Sequence, residues 1–144
     1  MTRRNVDEDL RSDVLVDIPK HLETRFGGSG KMLKPSRTSI EALVKKVPRG
    51  RVLTISLLRK VLAESHNAQV TCPFLTKRAL MAIAEDAKAK APFWRVVMGS
   101  GEMIAAYPGG QKAQAKRLRS DGLTIISKAG KSRIANLRQS LATL

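Results

Sequence analysis

Acidic residues, aromatic residues and cysteine are all scarce in this chain. There are 12 Asp and Glu against 27 Lys and Arg, which leaves a net charge of +15 over 144 residues. So large an excess opposes compaction by self-repulsion and is more readily explained by a polyanionic partner, with nucleic acid first and a membrane surface second. Only 3% of residues are aromatic while 42% are hydrophobic, so the core is expected to be aliphatic. Cys72 is the single cysteine, which excludes an internal disulfide and fits a reducing compartment. No apolar run approaches the roughly 18 residues of a membrane span, and the polar start of the chain is not followed by the apolar stretch of a signal peptide. The expectation is one soluble cytoplasmic domain, nucleoid-associated if the source is bacterial. His21 and His66 have no ligand-type neighbours at useful spacing, so neither a metal site nor a cofactor is expected.

The positive charge lies in two blocks. Residues 31–60 carry nine basic side chains and one acidic, and residues 111–138 carry eight and one. Two separated basic segments suit a folded binding surface better than a basic tail.

Residues 1–30 read as a polar N-terminal arm closed by Gly27-Gly28-Ser29-Gly30. Gly27 to Lys31 is not a P-loop, because Arg25 and Met32 stand where that motif needs a Gly and a Ser or Thr. Ile40, Leu43, Val44 and Val47 fall at helical spacing, with Thr38 or Ser39 as the cap, and Pro48-Arg49-Gly50 ends that helix. Arg51 to Thr54 is extended. Leu57, Leu58, Val61 and Leu62 mark a second helix, with Ser56 as its cap. Pro73 opens a third, alanine-rich helix reaching about Ala89. Phe93–Met98, the Gly99-Ser100-Gly101 turn and Met103–Ala106 read as a hairpin, or wing. A very basic helix from Gln111 to Ser120, a short strand over Leu123–Ile126 and a last helix over Ala135–Leu141 complete the chain. Three helices, a hairpin and a further helix is the order of a winged helix-turn-helix, so the fold class expected is mainly α with a small β-hairpin. The expected layout is an arm over residues 1–30, a winged-helix domain over 31–126 and a C-terminal helical extension over 127–144.

Four segments then resemble a family. Pro48-Arg49-Gly50-Arg51-Val52-Leu53-Thr54 is similar to the opening of the C-terminal domain of O6-alkylguanine-DNA alkyltransferases. Pro92-Phe93-Trp94-Arg95-Val96-Val97 stands where that family has Pro-Cys-His-Arg-Val, and Tyr107-Pro108-Gly109-Gly110 resembles its Tyr-x-Gly-Gly. The helix with Lys116 and Leu118 that ends in Asp121-Gly122 looks like its closing helix. The resemblance runs in order from about Ser36 to Ile126, and the order makes it specific. It implies minor-groove binding by a helix-turn-helix, extrusion of a damaged guanine into a pocket, and an arginine filling the gap. Arg78-Ala79-Leu80 matches the family's Arg-Ala-Val, which carries the arginine role to Arg78.

The departures bear on chemistry. Phe93 stands at the acceptor-cysteine position and Trp94 at the activating histidine. Alkyl transfer needs a thiolate, so it cannot occur at Phe93. Ile55 replaces a tyrosine and Met81 a glycine of the family pattern. A non-enzymatic branch, the alkyltransferase-like proteins, also lacks the cysteine, usually carries tryptophan there, and passes alkylated DNA to other repair machinery.

The expectation is a non-catalytic, monomeric DNA-binding protein. Its partner is double-stranded DNA, alkylated where it senses lesions, with a repair protein a candidate second partner. Arg49, Arg51, Lys77, Arg78, Ala79, Lys112 and Lys116 are its candidate DNA contacts. Phe93, Trp94, Arg95 and Tyr107 are its candidate base pocket, with Arg95 also read as a residue that holds the loop. Two alternatives stand beside this. One is a winged-helix regulator or architectural protein without lesion sensing. The other is an alkyltransferase using Cys72, which is otherwise read as structural.

Overall fold

A computed structural model describes residues 9–144; residues 1–8 of the expected arm lie outside it. Strand β1 (Val14–Asp17) is followed by a single 3-10 turn, strand β2 (Lys31–Lys34) and helix α1 (Arg37–Lys45). Then come β3 (Leu53–Thr54), α2 (Ile55–Ser65), β4 (Val70–Thr71) and α3 (Pro73–Glu85). A second 3-10 turn, Phe93–Arg95, leads into β5 (Val96–Val97). The chain ends with α4 (Gly110–Ser120), β6 (Ile125–Lys128), β7 (Lys131–Ile134) and the one-turn α5 (Leu137–Ser140).

The four long helices form near where periodicity places them, but their caps differ. Ser36, not Thr38 or Ser39, caps α1, its hydroxyl accepting from the Ser39 amide at 3.1 Å. Thr54, not Ser56, caps α2, accepting from Leu57. Each cap satisfies an amide that the first turn leaves without a helical acceptor. Helix α3 ends at Glu85 rather than Ala89. Asp86 is extended there (φ −88°, ψ 107°), and its carboxylate takes bonds from Arg37 at 2.6 Å and the Lys88 amide at 2.9 Å.

Two aliphatic clusters hold the chain together. The larger joins α1, α2 and α3 through residues such as Ile40, Val44, Leu58, Leu80 and Ile83, each essentially inaccessible to water. The smaller joins Val52, Val97, Met103, Leu118 and Ile134, which packs α4 and the C-terminal hairpin against β3 and β5. Each fully buried aliphatic side chain contributes about 1.5–3 kcal/mol.

Three sequence expectations need correction. The polar arm contributes a strand: β1 pairs antiparallel with β2, which pairs parallel with β4. Leu10 and Ile18 are buried, and the Asp13 carboxylate accepts from the Ser36 amide at 2.7 Å, so this segment is tied to the start of α1. The wing expected at Phe93–Ala106 is not formed. Val96 and Val97 are fully buried and pair parallel with Leu53 and Thr54, and the Met103 amide bonds to Ser132 instead of closing a hairpin. The C-terminal extension is not mainly helical. Ile125 to Ile134 is an antiparallel hairpin, and only Leu137–Ser140 is helical. Its two-residue turn, Ala129-Gly130, has φ of 54° and 77°, the positive pair that a type I′ turn requires.

Candidate nucleic-acid interface

The 3-10 turn at Phe93–Arg95 is held from four sides. The Arg95 guanidinium donates to the Asp121 carboxylate through Nε at 2.9 Å and through Nη2 at 3.3 Å, and through Nη1 to the Val47 carbonyl at 3.0 Å. Trp94 Nε1 donates to the same carboxylate at 3.1 Å. Gln114 is 2% exposed and satisfies three backbone groups. Its oxygen accepts from the Ile104 amide at 2.7 Å, and its nitrogen donates to the Trp94 and Val96 carbonyls at 2.9 Å each. Burial works to raise the Asp121 pKa. The hydrogen bonds from Arg95 and Trp94, with the charges of Arg95 and Arg49, outweigh it and hold the carboxyl below its ordinary value.

The same turn presents three rings. Phe93 meets Trp94 edge-on at 5.5 Å between centroids and Tyr107 at 5.2 Å. Tyr107 is 2% exposed, and burial pushes its phenol far above the ordinary range. Its hydroxyl donates to the Val96 carbonyl at 3.3 Å. The Tyr107-Pro108-Gly109-Gly110 turn that places it depends on Gly109. There φ is +81°, and a Cβ would lie 2.6 Å from that of Ala113.

Beside the rings is a cavity of about 260 Å³. Phe93 lines it and does not fill it. Tyr107 and Gln114 form further parts of its wall, and Ala84, Ala87 and Ala91, from α3 and the loop after it, supply small side chains on another. Asp86 also lines it, its carboxyl held low chiefly by the hydrogen bond from Arg37. The exposed Arg117 guanidinium of α4 lies 4.4 Å from the Trp94 ring centroid and 5.5 Å from that of Phe93. It therefore covers a face of Trp94, which is within cation–π range.

These four pocket candidates, Phe93, Trp94, Arg95 and Tyr107, lie in one place, but their roles differ. Phe93, Trp94 and Tyr107 line the cavity, whereas Arg95 braces the turn from behind. Cys72 is half-buried against the main core and is not among the residues lining this cavity.

Among the solved structures that share this fold are two from S. pombe. The chain has the fold of an alkyltransferase-like protein. One is S. pombe Atl1 in complex with damaged DNA containing O6-carboxymethylguanine, with a TM-score of 0.56, 20% identity, and coverage of 75% of this chain and 94% of that one. The other is S. pombe ATL in complex with DNA, with a TM-score of 0.58, 19% identity and the same coverage. No protein-family model and no curated protein matches the chain.

Within this alkyltransferase-like fold the candidate DNA contacts fall into three groups. Lys77 and Arg78 on α3, and Lys112 and Lys116 on α4, are exposed and have no ion-pair partner among the described residues. Arg49 and Arg51 are exposed but serve the fold. Arg49 donates to the Ser120 carbonyl at 2.6 Å, and Arg51 donates to the Gln139 carbonyl. Ala79 must be withdrawn as a contact: it is 0% exposed and packs in the core of α3 with Leu75, Leu80 and Ile83. The motif match placed it next to Arg78, but neighbours along a helix point about 100° apart, given 3.6 residues per turn.

Sequence reasoning missed Gln114, Arg117 and Asp121 as individuals. Only the adjacent Trp94-Arg95 pair, two side chains with N–H donors and no acceptor, signals that acceptors stand nearby, a carboxylate among the candidates.

Proposed function

We infer that this is a DNA-binding protein that receives an extruded base, alkylated or otherwise distorted, in the cavity beside Phe93, and carries out no transfer on it. One observation carries this reading: Phe93 replaces the acceptor side chain expected from the resemblance and leaves a cavity of about 260 Å³ open beside it. That is smaller than the roughly 300–1,000 Å³ of ordinary small-molecule sites, which suits a single base. The solved relatives of this fold were captured on DNA, one of them damaged.

Exposed charge, the cavity and the resemblance each support a step of this reading. The exposed cations Lys77, Arg78, Lys112 and Lys116 attract the phosphate backbone without reading sequence. A base edge inside a duplex is out of reach, so recognition requires extrusion, which costs least for a base already mispaired or damaged. Arg78 on α3 fills the vacated space. In the cavity the base meets Phe93, Tyr107 and alanine methyls, with the Arg117 guanidinium beside it. No thiol lines this wall among the described residues, and the hydroxyl of Tyr107 is both buried and bonded. The site is therefore suited to holding a base and not to accepting its alkyl group.

The test is equilibrium binding to two matched short duplexes, one with a single O6-methylguanine. Tighter binding to the lesion by tenfold or more, about 1.4 kcal/mol, is expected. Equal binding would remove lesion sensing and leave a general DNA binder. A mass increase of the protein by one methyl group would refute the non-catalytic reading, and its loss in Cys72→Ser would place the transfer at that thiol.

A further inference from the structure

Phe74 is the most solvent-exposed large apolar side chain among the described residues, at 63%. It stands in a chain with only three phenylalanines, where Phe26 is half-buried and Phe93 belongs to the cavity. A single exposed apolar side chain is ordinary on a protein surface, so a reason for it must come from more than its exposure. Its position supplies one. Phe74, Lys77 and Arg78 are at i, i+3 and i+4 of α3 and so share one face of the helix. The opposite face, with Leu75, Ala79, Leu80 and Ile83, is buried in the core. The Arg78 guanidinium lies 5.8 Å from the Phe74 ring centroid, within cation–π range, so the ring and the cation are presented together. Neither Lys77 nor Arg78 has an ion-pair partner among the described residues.

We propose that Phe74 is a DNA-contacting wedge: its ring enters the base stack of a duplex beside the base that Arg78 replaces. The inference rests on the function proposed above, because it takes α3 as the helix that faces DNA. The chemistry fits a nucleic acid better than a protein partner. A lone ring flanked by two unpaired cations matches alternating base faces and phosphates, and apolar wedges of this type unstack base steps from the minor groove. A protein-binding patch would need a wider apolar surround, and the exposed neighbours here are Lys77 and Arg78.

The wedge and the cation predict different signatures. A ring that stacks contributes affinity without neutralising phosphate. Phe74→Ala should therefore weaken binding to the O6-methylguanine duplex tenfold or more while the slope of log K against log salt stays at the wild-type value. Phe74→Trp should retain most of the affinity. A 2-aminopurine placed next to the lesion should brighten with wild-type protein and brighten clearly less with Phe74→Ala, where only extrusion of the lesion unstacks it. Lys77→Ala, by contrast, should lower the salt slope by about 0.9, the share of one phosphate contact. Because Phe74 is exposed, its replacement should leave the thermal unfolding midpoint unchanged, and that measurement excludes misfolding as the cause. Phe74→Ala binding within twofold of wild type would overturn the proposal and leave the ring to a different partner. A loss accompanied by a fall in salt slope would overturn it as well. If wild-type protein binds neither duplex, the function proposed above fails and the wedge fails with it.

Discussion

Replacing Asp121 by Asn should destabilise the fold and disturb the cavity together, because one carboxylate serves both. Its side chain is 9% exposed and that of its partner Arg95 is 15% exposed. The substitution keeps size and shape but removes the charge and converts one acceptor oxygen to a donor nitrogen. Arg95 is then left a largely covered cation without its counter-charge, and it and Trp94 Nε1 must compete for the single remaining oxygen. Breaking a fully buried pair by removing one partner costs about 3–5 kcal/mol. Solvent reaches the edge of this pair, so a loss of about 2–4 kcal/mol is expected. At about 2–4 °C per kcal/mol for a chain of this length, the midpoint should fall by about 5–15 °C. The pH dependence has a definite sign. The folded-state pKa of Asp121 is depressed, so its contribution is fully present above the unfolded value of about 3.9 and is lost as pH falls toward the folded value. Acid should therefore destabilise wild-type protein more steeply than Asp121→Asn. Trp94 is the only tryptophan, so its emission reports the same site during the unfolding scan. An unchanged midpoint, or parallel acid profiles for the two proteins, would refute the assignment of Asp121 as the brace of the turn.

Gln114→Leu should cost about 2–5 kcal/mol in urea unfolding, because it strands the Ile104 amide and the Trp94 carbonyl in the interior. Tyr107→Phe should cost less than about 1 kcal/mol, since its bond to the Val96 carbonyl is long and that carbonyl also accepts from Gln114; a larger loss would give the hydroxyl a role this geometry does not. Arg117→Ala should uncover a face of Trp94, and shift its emission and its accessibility to a neutral quencher, with little change in stability; an unchanged spectrum would show that the cation does not rest on the indole in solution. Contact with about six phosphates should give a slope of log K against log salt near −5, and a salt-insensitive complex would contradict an electrostatic interface.

What could be read from the sequence was whatever is local along the chain. The helical repeat of Ile40, Leu43, Val44 and Val47 and the proline at the start of α3 mark their elements, because side-chain spacing alone decides them. The expected wing does not form because Val96 and Val97 pair with Leu53 and Thr54, a distant parallel contact that leaves no turn signal beside it. The true hairpin turns on Ala129-Gly130, which lacks the Asn-Gly or Asp-Gly that usually announces such a turn. Its second strand alternates exposed and buried over Lys131, Ser132, Arg133 and Ile134, but three of those four are polar and the pattern passes for loop. Val14 and Leu15 stand 44% and 48% exposed, so β1 is specified by pairing with β2 more than by burial and resembles an arm. The rings of the pocket were legible through motif order. Asp121 and Gln114 were not, because each matters only through groups brought to it by folding.

Phe93 and Trp94, standing where the resemblance expects a cysteine–histidine pair, differ from it in more than the nucleophile. An imidazole can accept a proton, whereas an indole nitrogen only donates. In this fold that donor goes to Asp121, a face of the ring goes to Arg117, and the carbonyl of the same residue goes to Gln114. Trp94 is therefore fully committed to holding the turn, with no lone pair to activate anything beside it. Phe93, edge-on to both Trp94 and Tyr107, is an apolar wall that carries no reactive atom. A wall of that kind discriminates by shape and stacking, so under the proposed function selectivity rests on which bases extrude readily and fit, and not on which can react.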